Sequence, residues 1–459
     1  MVRQAHHVQT VCIIGGGFAG LAAAVFLDNL GFEVSLFEKK PVLGGRTYSF
    51  RDKKTGDWVD NGQHLLIGAY HETLKLLGNI GATRHLKIPQ KTEVALISDQ
   101  NKPLTFTLPR LPVPFNLMVS FLRMNCFTWS DRFHFLKMGL ELHKTAPSET
   151  VLEWLKRHKQ SGKAICNFWE PLTYATLNDD PSVAEAAMLK VVLTKGFLSS
   201  PADSRMVLAV SHLNDLLAKP ALTYLTLRGQ KIKTGVGITK IHLLDGKVQG
   251  VELEDGEMIK SDIYISAVPF ASLLRLIPEG FIDSIPYFGN LKKLSSAPIV
   301  SINLWFDRDV IPHDFVGAAG KKVHWYFNKN RIYGKDESPF HVMGVISGAY
   351  NLNDSSKEEI QKIVLAEMKE LFPKMQEAIL VHSLINKERE ATLSPKVGSD
   401  ECRPTQQSPF ENFFVIGDWT NTGLPATIES AVVSAKLAVN LIQTRLQSSP
   451  PTAQSHLPE

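Results

Sequence analysis

Cysteine is scarce in this chain. Its 459 residues hold four, Cys12, Cys126, Cys166 and Cys402, with no C-x-x-C pair and no metal-ligand spacing. That excludes a disulfide scaffold, gives no support for a metal site, and suits a reduced, cytoplasmic protein. Charge of one sign is also lacking: 50 Lys and Arg stand against 46 Asp and Glu, a net +4. Nucleic-acid binders concentrate a basic stripe, so no nucleic-acid partner is expected. A mild positive charge still permits loose attraction to an anionic membrane surface. Long apolar runs are absent too. Residues 4–27 contain no charged side chain, but Gly15, Gly16, Gly17 and Gly20 interrupt them. A strand, a glycine turn and a helix explain that stretch better than a signal peptide or a membrane span. No internal repeat is visible, and low complexity is confined to the Pro-containing end, residues 447–459, which is expected to be disordered.

The length exceeds that at which one hydrophobic core stops growing, so two domains are expected. Residues 9–14 read as a buried strand and Phe18 to Leu30 as a helix ending before Gly31. Glu33 to Phe37 reads as a second strand, with Glu38 at its end. Between the first strand and the helix, Gly15, Gly17 and Gly20 form G-x-G-x-x-G. Gly15 permits the tight turn, Gly17 lets the backbone approach a pyrophosphate, and Gly20 lets the helix pack on the strands. Ala19 lies in the first turn of that helix, whose free N–H groups and positive dipole end face the phosphates. Glu38, about 20 residues past the last glycine, is placed to accept hydrogen bonds from ribose hydroxyls. The fold class is therefore α/β, with a Rossmann-type dinucleotide-binding domain.

The same element can bind NAD or FAD. Leu43-Gly44-Gly45-Arg46 follows just beyond the acid. At the other end of the chain, the strand at 413–416 runs into Gly417 and Asp418, then a small-residue helix over Thr427 to Ile442. Both motifs resemble those of the flavin amine oxidase and carotenoid desaturase superfamily. The resemblance implies FAD as cofactor. Gly45 and Arg46 then approach its phosphates, Asp418 holds a ribityl or phosphate group, and the helix start at Thr427 and Ile428 faces the flavin pyrimidine. Lys247 to Leu253 and Glu257 to Ile265 alternate like a hairpin around Asp255-Gly256. By the same resemblance, the strand that opens at Ile238 touches the adenine.

This divides the chain into an FAD-binding domain (1–76, 206–269 and 396–446) and an inserted α+β substrate domain (77–205 and 270–395). In the latter, residues 108–142 are rich in Phe, Leu and Met and punctuated by Arg110, Arg123, Arg132 and Lys137. Leu117, Phe121 and Met124 share one helical face, as do Phe133, Leu136 and Leu140. These faces read either as core helices or as a monotopic patch dipping into a membrane.

Asp60-Asn61-Gly62-Gln63-His64-Leu65-Leu66, Gly68-Ala69-Tyr70 and Leu172-Thr173-Tyr174-Ala175-Thr176-Leu177-Asn178 narrow the resemblance, together with Gly417-Asp418-Trp419-Thr420. They are similar to motifs of the hydroxysqualene dehydroxylases, or squalene-associated FAD-dependent desaturases, and the likeness spans nearly the whole chain. It implies reductive removal of the allylic hydroxyl of hydroxysqualene, a long apolar isoprenoid, to give squalene. It further implies peripheral contact with the inner face of the cytoplasmic membrane, and it names no electron donor. His64 is the first candidate for the proton donor because imidazole titrates nearest neutrality. The alternative for His64 is a structural histidine beside the flavin. Tyr174 is the second candidate, with a packed helix position as its alternative. Asn61 and Gln63 either meet the flavin or shape the loop, and Asp60 reads as a helix cap. Three other activities fit the same motifs less closely. Phytoene desaturases share the Gly-x-His and Gly-Ala-Tyr region, an amine oxidase requires an aromatic cage, and a prenyl-lipid carrier would have lost the cofactor.

Overall fold

The computed structural model describes residues 8–98, 103–140, 142 and 148–448. Its centre is a five-stranded, wholly parallel sheet in the order Lys231–Thr234, Glu33–Glu38, Thr10–Ile14, Ile263–Ser266, Phe413–Val415. Parallel strands need both faces covered, which is why the first strand is apolar at successive positions from Val11 to Ile14. One face, with Val11, Ile13, Val34, Leu36 and Ile265, packs on the helices Phe18–Asp28 and Ile428–Ser448. In the first helix Leu21, Ala22, Ala23, Ala24 and Val25 are fully buried. Ala431, Ala435 and Ala438 of the last helix belong to the same cluster. Small residues on both helices let their backbones come close, and a larger side chain at any of these alanines would cost about 1–3 kcal/mol in overpacking.

The first helix stops at Asp28, two residues short of the expected end, because Gly31 N–H turns back to the Asp28 carbonyl at 3.0 Å with Gly31 at φ +83°. The hairpin over 247–265 also differs. Only Met258–Ile259 pairs with Lys247–Leu253, and Ile263–Ser266 leaves to become a central parallel strand. A fully buried IYIS segment finds more partners there than on a three-stranded surface sheet. The last helix runs to Ser448, so the disorder expected from 447 does not begin there; residues 449–459 lie outside the described ones.

The second sheet has seven strands, in the order Leu380–Leu393, Ser296–Phe306, Phe340–Ser347, Trp325–Asn328, Phe315–Ala318, Thr92–Ile97, Pro103–Leu108. One face buries Val300, Ile302, Leu304 and Phe306 against the helix Lys357–Leu371. The other alternates with it. Val94, Leu96, Trp325, Phe327 and Met343 on that face meet an aromatic cluster that includes Phe121, Phe168 and Trp169. Residues 270–294, read from sequence as substrate domain, pack elsewhere. Leu273, Ile282, Phe288 and Leu291 cover Cys12, Ile14 and Tyr264, the second face of the parallel sheet. That face would otherwise be wet, so these residues serve the parallel sheet.

The Phe- and Leu-rich stretch resolves into the helices Phe115–Arg123 and Trp129–Gly139, the second opened by a Thr128–Asp131 capping box. Its two apolar faces have opposite fates. Leu117, Phe121 and Met124 are 7%, 4% and 3% exposed, whereas Phe133, Leu136 and Leu140 are 67%, 50% and 76% exposed. Among the described residues no helix is long and apolar enough to cross a membrane.

Candidate functional site

The carboxyl ends of the central strands meet two glycine turns. At Gly20 a Cβ would lie 1.9 Å from the Gly15 carbonyl oxygen, so no other residue lets the helix seat this close to the turn. Gly44 N–H donates to the Gly16 carbonyl at 2.8 Å, and a Cβ on Gly45 would come within 2.9 Å of the Gly17 α-carbon. The two turns therefore lie backbone to backbone. Gly17 is the N-cap of the helix Phe18–Asp28, with no capping side chain and no acid in the first turn. The N–H groups near Phe18 and Ala19 are thus left to a ligand of negative charge. Glu38, 6% exposed, accepts Gly16 N–H at 2.8 Å and Lys40 N–H at 2.9 Å. Carboxylate lone pairs remain for ribose hydroxyls. Val236 N–H donates to the Glu38 carbonyl at 3.0 Å, which brings Ile238 to the same edge.

The far end of the chain closes the cradle. Arg46 forms a short ion pair with the Asp418 carboxylate and donates to the Ala391 carbonyl at 3.2 Å. Gly417 N–H donates to Ser434 Oγ at 2.9 Å, tying the turn to the last helix. Thr427 lies just before that helix, which starts at Ile428, and its hydroxyl accepts Ser430 N–H at 3.4 Å. Burial raises the Tyr70 phenol to about 12, with Thr427 acting against the shift. Glu429 does what no residue of the helix His71–Asn79 does for itself. Its buried carboxylate accepts Glu72 N–H at 3.0 Å, Thr73 N–H at 2.9 Å and Thr73 Oγ at 2.6 Å, capping that helix from the other end of the chain.

The Asp60–His64 segment is anchored by a buried ion pair absent from the sequence reading. Asp60 is no helix cap; it ends the strand Trp58–Asp60, and the next helix begins only at His71. Its Oδ2 accepts Lys329 Nζ and Tyr333 OH, each at 3.0 Å; its Oδ1 accepts Ser49 Oγ at 2.7 Å and Leu213 N–H at 3.1 Å. Burial opposes the charge on Asp60, but Lys329 and these hydrogen bonds outweigh it, and the carboxyl is held below its ordinary range. Lys329 also donates to Gln63 Oε1 at 2.7 Å. Asn61 shapes the loop: its Nδ2 donates to the Arg46 carbonyl at 2.9 Å, and its Oδ1 accepts Tyr48 N–H at 3.2 Å. For His64, burial comes first and, with Arg46 and Lys329 nearby, lowers the imidazole to about 4 despite Asp60. That value favours the neutral imidazole at neutral pH.

Tyr174 sits on the helix Glu170–Leu177 in a second polar cluster. Its hydroxyl donates to Asp180 Oδ2 at 2.7 Å, and its ring stacks on His324 with centroids 3.6 Å apart. Burial lowers His324 to about 4, and burial followed by the bond to Asp180 raises the Tyr174 phenol. Next to it Asp179 accepts Ser394 Oγ at 2.5 Å and Tyr350 OH at 3.0 Å. The structure does not merge the two candidates into one constellation. The His64 and Tyr174 clusters are linked along the strand Leu380–Leu393, where Ala391 faces Arg46 and Ser394, just past its end, faces Asp179. Sequence reasoning missed Lys329, His324 and Glu429, because each acts through a partner far away in the chain, and Asp180, which lies six residues from Tyr174 beyond the end of its helix.

A glycine cradle with two uncapped or partly capped helix starts, an acid at the second strand end and an Arg–Asp pair fits a dinucleotide with a flavin at its far end. This fold and site define an FAD-dependent oxidoreductase. Residues 18–443 match the family of flavin containing amine oxidoreductases, and the chain belongs to that family. It is 27% identical to a 15-cis-phytoene desaturase of Synechococcus elongatus over 95% of this chain and 96% of that enzyme. It is 28% identical to a hydroxysqualene dehydroxylase of Zymomonas mobilis over 94% of this chain and 98% of that enzyme. Among solved structures, an oxidoreductase from Methanosarcina mazei superimposes with a TM-score of 0.76 at 17% identity, covering 95% of this chain and all of that one, a likeness of fold.

Proposed function

We propose that this protein removes the allylic hydroxyl of hydroxysqualene, or of a closely similar long isoprenoid alcohol, by reduction. Bound and reduced, FAD supplies the hydride that replaces the hydroxyl, and one proton completes the balance to hydrocarbon, water and oxidised cofactor. Gly15, Gly17, Gly20, Gly45 and Arg46 cradle the phosphates, Glu38 and Ile238 take the adenosine end, and Asp418 takes the ribityl chain. Thr427 and Ile428 face the pyrimidine ring, with Gln63 alongside.

The observation that carries the reading is the polar cluster of Tyr174, Asp180 and His324, set on a helix whose Leu172 and Leu177 join the aromatic-rich apolar cluster. A hydrocarbon substrate has no use for such a cluster; a substrate with one hydroxyl does. Tyr174, whose one proton is held by Asp180, accepts a hydrogen bond from the substrate hydroxyl and orients it, and the proton that completes the balance comes from solvent. Neutral His64 serves as the structural histidine beside the flavin. The apolar walls exclude water from the allylic cation.

Membrane contact belongs to the same reading. Trp129, Phe133, Leu136 and Leu140 project at 77%, 67%, 50% and 76% exposure, with Arg132 over the Trp129 ring at 4.7 Å. An exposed apolar face flanked by Arg123, Arg132 and Lys137 suits an anionic bilayer from which the substrate is drawn. A second reading, desaturation of phytoene, is favoured by the 27% identity to the Synechococcus desaturase. The test is anaerobic. Photoreduced holoprotein given hydroxysqualene is expected to form squalene with return of the oxidised flavin spectrum. Turnover of phytoene by the oxidised protein, with hydroxysqualene inert, would overturn the proposal.

A further inference from the structure

The eleven-residue loop from Gly417 to Thr427 carries Asp418 and delivers the start of the last helix, yet it contains no regular structure of its own. Something must hold its carbonyls. Arg403, whose side chain is 2% exposed, lies behind it. One terminal nitrogen donates to the Thr420 carbonyl at 2.6 Å, to the Asp418 carbonyl at 3.0 Å and to Ser430 Oγ at 3.5 Å. The other donates to the Leu424 carbonyl at 2.8 Å and to Asp400 Oδ1 at 2.9 Å. Ser430 Oγ donates in turn to the Asp418 carbonyl at 3.0 Å, so the loop and the first turn of the helix are knotted at one guanidinium.

We infer that Arg403 is a positioning residue for the flavin: its planar fork fixes the loop carbonyls so that Asp418 and the helix start face the cofactor. Three features argue for this over generic packing. A buried arginine ordinarily spends its fork on a carboxylate, but this one meets a single acid, 36% exposed, and gives the rest to three carbonyls of one loop. Those carbonyls belong to residues 418, 420 and 424, which bracket the turn that presents Asp418. Arg46 holds the Asp418 carboxylate from the opposite side, so one residue is gripped at its backbone and its side chain by two different cations. Lysine cannot replace the fork, because one ammonium on a flexible stem does not span three diverging acceptors.

The inference rests on the placement of flavin against Asp418 proposed above. The test titrates deflavinated full-length protein with FAD, following quenching of flavin fluorescence, for R403A, R403K and D418N. R403A and R403K are expected to weaken FAD by up to about a hundredfold. Millimolar guanidinium is expected to restore R403A, but not R403K, whose ammonium fills the space. FAD affinity in R403A equal to that of the parent overturns the inference, as does a loss that guanidinium fails to recover. If R403A does not fold, R403K decides alone: unchanged affinity overturns it. If D418N also binds FAD normally, the flavin placement itself fails; if D418N weakens FAD and R403A does not, only the role of Arg403 fails.

Discussion

Replacing Lys329 with methionine tests the best-defined buried charge in the molecule. The Lys329 and Asp60 side chains are 2% and 3% exposed, so neither ion is helped by water. Removing the lysine leaves a buried carboxylate held only by Tyr333, Ser49 and the Leu213 amide. Breaking such a pair from one side costs about 3–5 kcal/mol. The carboxylate has one escape, which is to take up a proton. From an ordinary aspartate value near 3.9 that costs about 1.4 kcal/mol per pH unit, or about 4 kcal/mol at pH 7 and about 1.5 at pH 5. The sign is therefore set. In the parent, Asp60 is depressed, and its contribution is present above the unfolded value and lost as pH falls through the folded one. In K329M its folded value is raised, so the defect relative to the parent grows with pH above about 4. Denaturant unfolding of holoprotein at pH 5 and pH 7, read by tryptophan and by flavin fluorescence, gives both differences. D60N/K329M should recover most of the loss at pH 7. A K329M defect equal at the two pH values, or a double variant as unstable as K329M, would refute the reasoning.

Three further outcomes are expected. Gly20→Ala forces the helix off the turn by more than an ångström, since its Cβ would sit 1.9 Å from the Gly15 oxygen, and the protein should purify without visible flavin absorbance. Glu429→Ala leaves two helix N–H groups and a threonine hydroxyl uncapped, which costs about 2 kcal/mol and lowers the temperature at which flavin is released; an unchanged release temperature contradicts the cap. W129A/F133A removes two exposed side chains worth about 1.5–3 kcal/mol each if they enter lipid. Sedimentation with anionic vesicles should then fall by about a hundredfold in partition while FAD content and fluorescence stay at parental values.

What could be read from the residues alone was whatever is local. The turn of Gly15 to Gly20, the strand to Glu38 and the turn at Gly417-Asp418 are written in consecutive positions, and the structure brings the two ends together at the Arg46–Asp418 pair. What escaped was whatever depends on a distant partner. IYIS at 263–266 has the alternation of a hairpin arm, but only the parallel sheet buries it on both sides. Leu117 and Phe133 sit in equally apolar helices, and periodicity cannot say which face finds a neighbour; one is 7% and the other 67% exposed. Asp60 looked like a cap because nothing in its own segment reveals Lys329, 269 residues on. His64 suggested an acid because its unperturbed value lies near neutrality, and only three-dimensional burial moves it to about 4.

The last strand of the central sheet, Phe413–Val415, and the helix after it also bear on how the molecule is born. While the ribosome is still making these residues, the β-α-β unit at the front has an unprotected flank and its alanine helix lacks the last helix as a neighbour. A cofactor cradle that includes Asp418 can close only once residues 413–448 have been made and packed. Truncated products of interrupted synthesis would be colourless, and they would expose the apolar helix flank that chaperones bind.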